Sequence, residues 1–246
     1  MMKKTTVVLG LWLGIALMSA GCARKNAQAA SPAATGFGAA VVESSGGKQI
    51  ANAGTTLPQP LVVQVNDEQG AAVAGALVQF HGPAGTSFDP PQMLTDSSGQ
   101  ATTNVMLGSM AGRYQLMATT LTKAHKTVDL KMEEIALDYQ RAWGQTLDDK
   151  YCSRCHSPES TPERVSNYDN LAVKPHPFTE GDTLNKISDA DLLAIISHGG
   201  PALNKSPLMP PYGYTLSKAE MQALIAYIRT ISDPPYQTSG MVYAKK

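Results

Sequence analysis

The residues whose types and spacing point most directly to chemistry are Cys152, Cys155 and His156. Two cysteines separated by two residues and followed directly by histidine form the attachment sequence for a c-type haem. Thiols three positions apart on one helical turn can both reach the vinyl groups of a single haem, and the next side chain can bind the iron as an axial ligand. The spacing therefore predicts one covalently attached haem c, with His156 as a metal ligand.

Two other chemistries also use a pair of cysteines at this spacing, namely a redox-active dithiol and half of a zinc site. A dithiol does not require the histidine. A zinc site requires a second pair of ligands, and the third and last cysteine of the sequence is Cys22, far upstream. With Cys152 and Cys155 assigned to haem, no disulfide remains to be inferred.

The size and charge of the chain limit its architecture and its partners. A chain of 246 residues can form one large domain or two small ones. Its 20 basic and 20 acidic side chains cancel, so the basic surface typical of nucleic-acid-binding proteins is not expected. We therefore predict no nucleic-acid partner and no strong electrostatic attraction toward a highly charged protein.

The N-terminus has the pattern of a secretory signal peptide, which we predict over residues 1–21. Two lysines precede an apolar run at residues 7–18, which is shorter than the roughly 20 residues needed to span a bilayer. Small residues follow the run and lead to Cys22. The segment of residues 22–40 is rich in Ala, Gly and Ser, which predicts a flexible tether.

The residues around Cys22 resemble the lipobox of bacterial lipoproteins, although Ser19 occupies a position where that family prefers leucine. The resemblance implies that Cys22 is lipidated and that the acyl chains hold the protein on the periplasmic side of a bacterial membrane. Ala23 follows the cysteine where an aspartate would indicate retention in the inner membrane, so the resemblance points to the outer membrane. The alternative is ordinary signal cleavage nearby, which would leave Cys22 as a free thiol.

Residues 41–132 have the two-residue period of β-strands. Leu61, Val63 and Val65 alternate with Val62, Gln64 and Asn66, and turn signals occur at residues 67–70 and 96–99. Short strands separated by turns at such intervals are typical of an all-β sandwich.

Three stretches of this region resemble the bacterial immunoglobulin-like domains of the invasin and intimin type: residues 73–80, 95–101 and 111–114. The resemblance implies an immunoglobulin-like β-sandwich that acts as a spacer or an adhesive module and carries out no chemistry.

Residues 133–233 have helical periodicity, and residues 234–246 are predicted to be an irregular tail. A helix is expected from about residue 138 to residue 150, leading into the haem motif. Residues 188–191 and 217–220 each have the pattern of an N-terminal capping box. Met221 begins an apolar stripe along the last helix. The pattern predicts a small all-α domain.

Residues 138–232 resemble class I c-type cytochromes, which share this order of haem motif, middle helix, Met-Pro loop and closing helix. The resemblance implies a cytochrome c fold with Met209 as the second axial ligand, through its thioether sulfur. His198 and His176 are the alternative ligands. The carbonyl of Pro175 or Pro177 is expected to accept a hydrogen bond from the other ring nitrogen of His156, since such bonds are usual for metal-bound histidine.

An iron with both axial positions filled can transfer electrons but has no open position for a substrate. We therefore predict a carrier that moves one electron at a time between periplasmic or membrane redox partners, rather than an enzyme. One alternative is the cytochrome subunit of a periplasmic dehydrogenase or reductase complex. Another is a surface adhesion module with a secondary haem domain.

Overall fold

A computed structural model describes residues 33–161 and 165–237. The predicted signal peptide, Cys22 and the last nine residues lie outside the described residues. Strands occupy the chain as far as Leu137 and helices follow from Tyr139, which confirms the predicted order of a β region and then an α region. Within the described residues, no helix is both long enough and apolar enough to cross a membrane.

The β region consists of two sheets that enclose one apolar core. The strands are β1 (Ala40–Ser45), β2 (Ile50–Asn52), β3 (Leu61–Asn66), β4 (Leu77–His81), β5 (Ser87–Asp89), β6 (Gln92–Leu94), β7 (Gln100–Met106), β8 (Gly112–Leu121) and β9 (Thr127–Leu137). One sheet has the strand order β1-β3-β7-β5 and the other has the order β2-β9-β8-β4-β6, in which β2 runs parallel to β9 and the remaining pairs are antiparallel.

The predicted alternation explains how this core forms. Leu61, Val63 and Val65 are fully buried in β3, while the residues between them face away from the core, as the two-residue period of a strand requires. Near the start of β8, the hydroxyl of Tyr114 donates a hydrogen bond of 2.7 Å to the carbonyl of Met110. A tyrosine that bonds back to the backbone in this way is a recurrent feature of immunoglobulin-like sandwiches.

Two predicted boundaries differ from the structure. The tether predicted for residues 22–40 ends earlier, because the amide of Thr35 bonds to the carbonyl of Gly75 and Ala39 bonds to Asn66. The change from strand to helix falls at Asp138 rather than at residue 133, because β9 pairs with β8 as far as Ala136 and with β2 as far as Leu137. Strand pairing with a distant segment thus continues beyond the point where the local pattern stops favouring a strand.

Among the described residues, the α region contains three α-helices of ten or more residues and two α-helices of a single turn. They are α1 (Tyr139–Tyr151), α2 (Ser153–His156), α3 (Gly181–Leu184), α4 (Asp189–His198) and α5 (Lys218–Ile231). At α5, Ser217 and Glu220 form the complete capping box that was predicted. At α4 only half of the capping box forms. The hydroxyl oxygen of Ser188 accepts from the amide of Asp191. The carboxylate of Asp191 accepts from the Ser188 hydroxyl and not from the Ser188 amide. Aspartate is one methylene shorter than the glutamate that the full motif uses.

Helices α1 and α5 pack closely at a glycine. A Cβ atom placed on Gly144 would lie 2.1 Å from the carbonyl oxygen of Ala223 and 2.7 Å from the Cβ of Tyr227. Elsewhere on α1, Tyr139 is 88% exposed and Trp143 is 37% exposed.

The two regions meet across a small apolar cluster and several hydrogen bonds. Leu137 at the end of β9 packs with Tyr227 and Ile231 of α5. Only one residue separates β9 from α1: Asp138, whose carboxylate caps α1 by accepting from the amide of Arg141 at 2.9 Å. The described residues of both regions belong to one compact unit.

Candidate functional site

The α region encloses a cavity of about 450 Å³, a size typical of ligand-binding sites. All four residues predicted to hold a haem line it: Cys152, Cys155, His156 and Met209. Its remaining walls come from the end of α1, the segment before α3, α3 and the residues that follow it, α4, the loop before α5, and α5. Most of the wall residues are apolar. The fold therefore brings together residues that are more than fifty positions apart in the sequence.

The cysteine motif forms the helical turn that its spacing predicts. The amides of Cys155 and His156 both donate to the carbonyl of Cys152 at 3.0 Å, in the short helix α2 directly after α1. Burial raises the pKa of Cys152 to about 12, so the thiol stays protonated at neutral pH. Burial also lowers the pKa of His156, which favours the neutral imidazole that binds metals.

The orientation of the His156 ring is set by a segment twenty residues downstream. The ring nitrogen Nδ1 donates to the carbonyl oxygen of His176 at 2.9 Å, which leaves Nε2 with a free lone pair. The prediction that the carbonyl of Pro175 or Pro177 accepts this bond was wrong, although the acceptor is the residue between them. Phe178 stacks on the ring, with centroids 4.5 Å apart and planes inclined by 25°.

Met209 is held by a loop that is tied to the end of α4. The amide of Gly200 donates to the carbonyl of Met209 at 3.1 Å, and the amide of Tyr212 donates to the carbonyl of Ile196 at 2.9 Å. Gly199 has a φ of +82°, and a Cβ atom there would lie 2.8 Å from the Met209 carbonyl oxygen. Only glycine therefore fits at this point of the loop.

The two alternative axial ligands occupy different surroundings. His198 is exposed and faces a shallow depression between α4 and α5 rather than the cavity. His176 lies at the cavity wall, but its own Nδ1 is 2.9 Å from Oε2 of Glu180 and its side chain is 50% exposed. Of the two, therefore, only His176 lines the cavity.

The side chains around the cavity fit a haem group. Among the described residues, the charged side chains that line it are Lys174, Lys186 and Lys205, and no carboxylate lines it. Apolar walls suit a flat macrocycle, and the three ammonium groups complement the two propionates that a haem carries. The thiols, the imidazole and the thioether are ligand types that c-type haems use.

A buried arginine supports one wall of the cavity. Arg229 of α5 is 8% exposed and donates to the carbonyls of Leu184, at 2.7 Å, and Ile187, and its Nε lies 2.9 Å from a carboxylate oxygen of Asp189. Leu184 and Ile187 both line the cavity. The arginine thus holds the segment between α3 and α4 against α5.

The α region also has a counterpart among known families. Residues 140–228 match the family model of cytochrome C oxidase, cbb3-type, subunit III. This region is similar to a cytochrome c domain. The match includes both cysteines, His156 and Met209. No curated protein sequence matches the chain.

Several solved structures are similar to the chain at low identity. One is the D00–D0 domain of intimin, with 21% identity over 46% of this chain and 52% of that chain and a TM-score of 0.33. A second is invasin, a bacterial integrin-binding protein, with 18% identity over 39% of this chain and 19% of that chain and a TM-score of 0.29. A third is the E. coli chaperone DraB, with 11% identity over 44% of this chain and 62% of that chain and a TM-score of 0.32. The chain spans 52% and 48% of the two intimin structures that it matches. The sandwich is defined by its own strand order and core.

Sequence reasoning did not identify several residues that shape the site. Phe178 and the backbone carbonyl of His176 were missed because their roles depend on a loop folding back onto the haem motif. Arg229 has a partial signal, since an arginine within an otherwise apolar helix stripe indicates a buried cation with partners. The identity of those partners is a property of the tertiary structure.

Proposed function

We propose that the protein carries one electron at a time through a single haem c held in this cavity. In this proposal Cys152 and Cys155 would form the thioether bonds, and His156 and Met209 would be the two protein ligands of the iron. The observation that carries the proposal is the presence of all four side chains around one apolar cavity. The family match of residues 140–228 supports the electron-transfer role.

Attachment of the haem to the two thiols would need no oxidant or reductant. Each thiol would add across one vinyl group: a carbon–sulfur bond forms, the S–H bond breaks and its hydrogen passes to the other vinyl carbon. The short helix α2 places the two thiols on one turn, as a pair of attachments to one macrocycle requires.

The bound haem would supply a one-electron change between ferric and ferrous iron. His156 would bind through Nε2, since Nδ1 is occupied by the His176 carbonyl. Met209 would fill the position that a substrate would otherwise take, and the thioether favours a higher reduction potential than a second histidine. The apolar walls would exclude water from the metal.

The absorption and EPR spectra of the oxidised protein, matured with haem, test the ligands. We expect a low-spin spectrum with a weak far-red sulfur-to-iron band that disappears in Met209→Leu. Met221→Leu is the matched control, because Met221 lies in the same core and is buried without lining this cavity. A far-red band that survives in Met209→Leu, or a high-spin or bis-histidine spectrum in the unaltered protein, contradicts the Met209 assignment.

We also propose that the protein is exported and anchored through a lipid on Cys22 to the periplasmic side of a bacterial membrane. The lipobox-like sequence supports this proposal. Radiolabelled palmitate should label the unaltered chain in a bacterial host and should not label Cys22→Ala. If the unaltered chain, like Cys22→Ala, is unlabelled and is released into the soluble fraction with its haem, the lipid anchor is contradicted.

A second candidate function is that of a cytochrome subunit in an oxidase complex, and the family match favours it because that family is described as an oxidase subunit. The two functions differ in the permanence of the partner. Gentle detergent extraction followed by purification of the full chain should yield the haem protein alone if it is a carrier. A stoichiometric catalytic subunit that remains bound through size-exclusion chromatography indicates the subunit function.

A further inference from the structure

An arginine of the sandwich binds the end of the last helix. Arg113 of β8 donates from Nη2 to the carbonyls of Thr230 at 3.1 Å and Ser232 at 2.5 Å, and its Nη1 pairs with Glu133. These carbonyls lie at the C-terminus of α5, where backbone oxygens lack partners within the helix and the helix dipole favours a cation. Arg113 is 20% exposed, so its contacts are partly shielded from solvent.

The residues that follow α5 are paired with the segment before α3. The amide of Asp233 donates to the carbonyl of Thr179 at 2.9 Å, and the amide of Gly181 donates to the carbonyl of Asp233 at 2.9 Å. The side chain of Asn185 donates to the carbonyl of Pro234 at 2.8 Å. A Cβ atom on Gly181 would lie 2.3 Å from that same oxygen, so the two segments are in close contact. We refer to residues 176–181 together with Asp233 and Pro234 as the strap.

The strap makes both of the contacts that orient the His156 ring. The carbonyl of His176 accepts the hydrogen bond from Nδ1, and Phe178 stacks on the ring. Phe178 also packs against the apolar cluster of Leu137, Tyr227 and Ile231, where the sandwich meets the helices. A continuous series of direct contacts therefore runs from Arg113 to the candidate axial ligand.

We propose that the β-sandwich tunes the haem by fixing the strap and, through it, the orientation and basicity of His156. The inference rests on the proposed function, because it assigns Arg113 and Phe178 as positioning residues for an iron ligand. A bond from Nδ1 to a carbonyl makes a metal-bound imidazole more basic. A more basic ligand stabilises ferric iron, so loosening the strap raises the reduction potential.

The test compares Arg113→Met with Lys131→Met in full-length protein matured with haem. Lys131 lies on the neighbouring strand β9 and is exposed, so its substitution removes one positive charge without disturbing the strap. Redox titration should show that Arg113→Met changes the equilibrium constant for reduction at least threefold toward the ferrous form, a shift of about 28 mV for a one-electron couple. Lys131→Met should leave the potential unchanged.

The direction of the shift separates positioning from simple electrostatics. Loss of a positive charge near the iron disfavours the ferrous form and would lower the potential. Arg113→Lys retains the charge but loses the two-carbonyl contact, so its potential should move in the same direction as that of Arg113→Met. Lowered potentials in Arg113→Met with an unchanged Arg113→Lys would overturn the proposal.

A double substitution tests whether the effect passes through the strap. Phe178→Leu should itself raise the potential and alter the EPR g values, because the His156 ring then loses one of the two contacts that orient it. If both residues act through the strap, the shift in Arg113→Met/Phe178→Leu should be smaller than the sum of the single shifts. Additive shifts, or a lower unfolding midpoint without any change in potential, overturn the proposal.

These results are distinguishable from a failure of the proposed function. If the unaltered protein contains no covalent haem, or lacks the far-red band, then the ligand assignment fails before any strap variant is measured. If the unaltered protein has that spectrum and the potential is insensitive to Arg113 and Phe178, only the strap proposal fails.

Discussion

The two regions of this molecule are packed in different ways. The core of the sandwich is continuous, and residues from both sheets, such as Leu61, Val78 and Leu116, are fully buried. The core of the α region is arranged around a cavity of about 450 Å³, and residues of that core, among them Leu224 and Ile228, also form the cavity wall. The comparison indicates that the sandwich is complete without a ligand, whereas the α region depends on one to fill its centre.

Loss of the haem should have the largest effect, and it should destabilise the α region while leaving the sandwich folded. Without a haem, the apolar side chains around this cavity of about 450 Å³ lose their packing partner, and an unfilled cavity in a core is destabilising. In Cys152→Ser/Cys155→Ser we therefore expect the helices to lose amide protection while the strands keep theirs. Hydrogen exchange followed by mass spectrometry measures both regions in one sample.

The control for that experiment is the unaltered chain matured with haem, in which both regions should be protected. Equal protection of α4, α5 and the sandwich strands in the haem-free variant would show that the helices pack well without a ligand.

A substitution at the contact between α1 and α5 should be nearly as damaging and should also be confined to the α region. Gly144→Val places a branched side chain against the backbone carbonyl of Ala223, which cannot move without shifting α5. We expect a loss of about 3 kcal/mol or more in the free energy of unfolding, together with reduced haem loading. Urea denaturation and the ratio of haem absorbance to protein give the two values.

Thr146→Ala, on an exposed position of the same helix, serves as the comparison and should change the stability by less than about 0.5 kcal/mol. A Gly144→Val protein with normal haem content and stability would contradict the close helix contact.

The sandwich should have its own sensitivity, which is to pH. Glu134 of β9 is fully buried, and burial raises its pKa to about 7 although the amide of Gln49 donates to Oε2, which lowers the pKa. The nearby carboxylates of Glu43 and Glu133 raise this pKa further. Since the folded state prefers the protonated carboxyl, stability is highest below the ordinary pKa and falls as the pH rises through about 7. At about 1.4 kcal/mol for each pKa unit, the loss is a few kcal/mol at most.

Glu134→Gln should remove this pH dependence and make the protein more stable than the unaltered chain at pH 8 while changing little at pH 5. Urea midpoints at the two pH values, with the exposed Glu68→Gln as control, provide the measurement. A midpoint that falls equally in all three proteins as the pH rises would assign the dependence to other groups.

The smallest expected effect is a difference in stability between the N-terminal caps of α4 and α5. Ser217 is part of a full capping box, whereas Ser188 makes only half of one. We expect Glu220→Ala to cost about 1 kcal/mol and Asp191→Ala to cost less, because the Glu220 carboxylate accepts from both the amide and the hydroxyl of Ser217, whereas the Asp191 carboxylate accepts from the Ser188 hydroxyl and not from the cap amide. Thermal unfolding midpoints of the haem-loaded variants rank the two, and a larger loss in Asp191→Ala contradicts this interpretation of the caps.

Local patterns in the sequence determined much of the architecture. The alternation of Leu61, Val63 and Val65 predicted a one-sided strand because side chains on a strand alternate between its two faces. The spacing of the cysteine motif predicted one helical turn, and the start of α5 followed from its capping residues. These features depend on neighbours within a few residues, which a single sequence displays directly.

The contacts between these elements depend on the tertiary structure and could not be predicted from local patterns. The acceptor for His156 is a carbonyl twenty positions away, and every residue has a carbonyl, so no side-chain pattern could mark it. The continuation of β9 to Leu137 and the contact of Arg113 with α5 depend likewise on pairing between distant segments. Such contacts involve backbone groups common to all residues, and chain topology alone determines which of them come together.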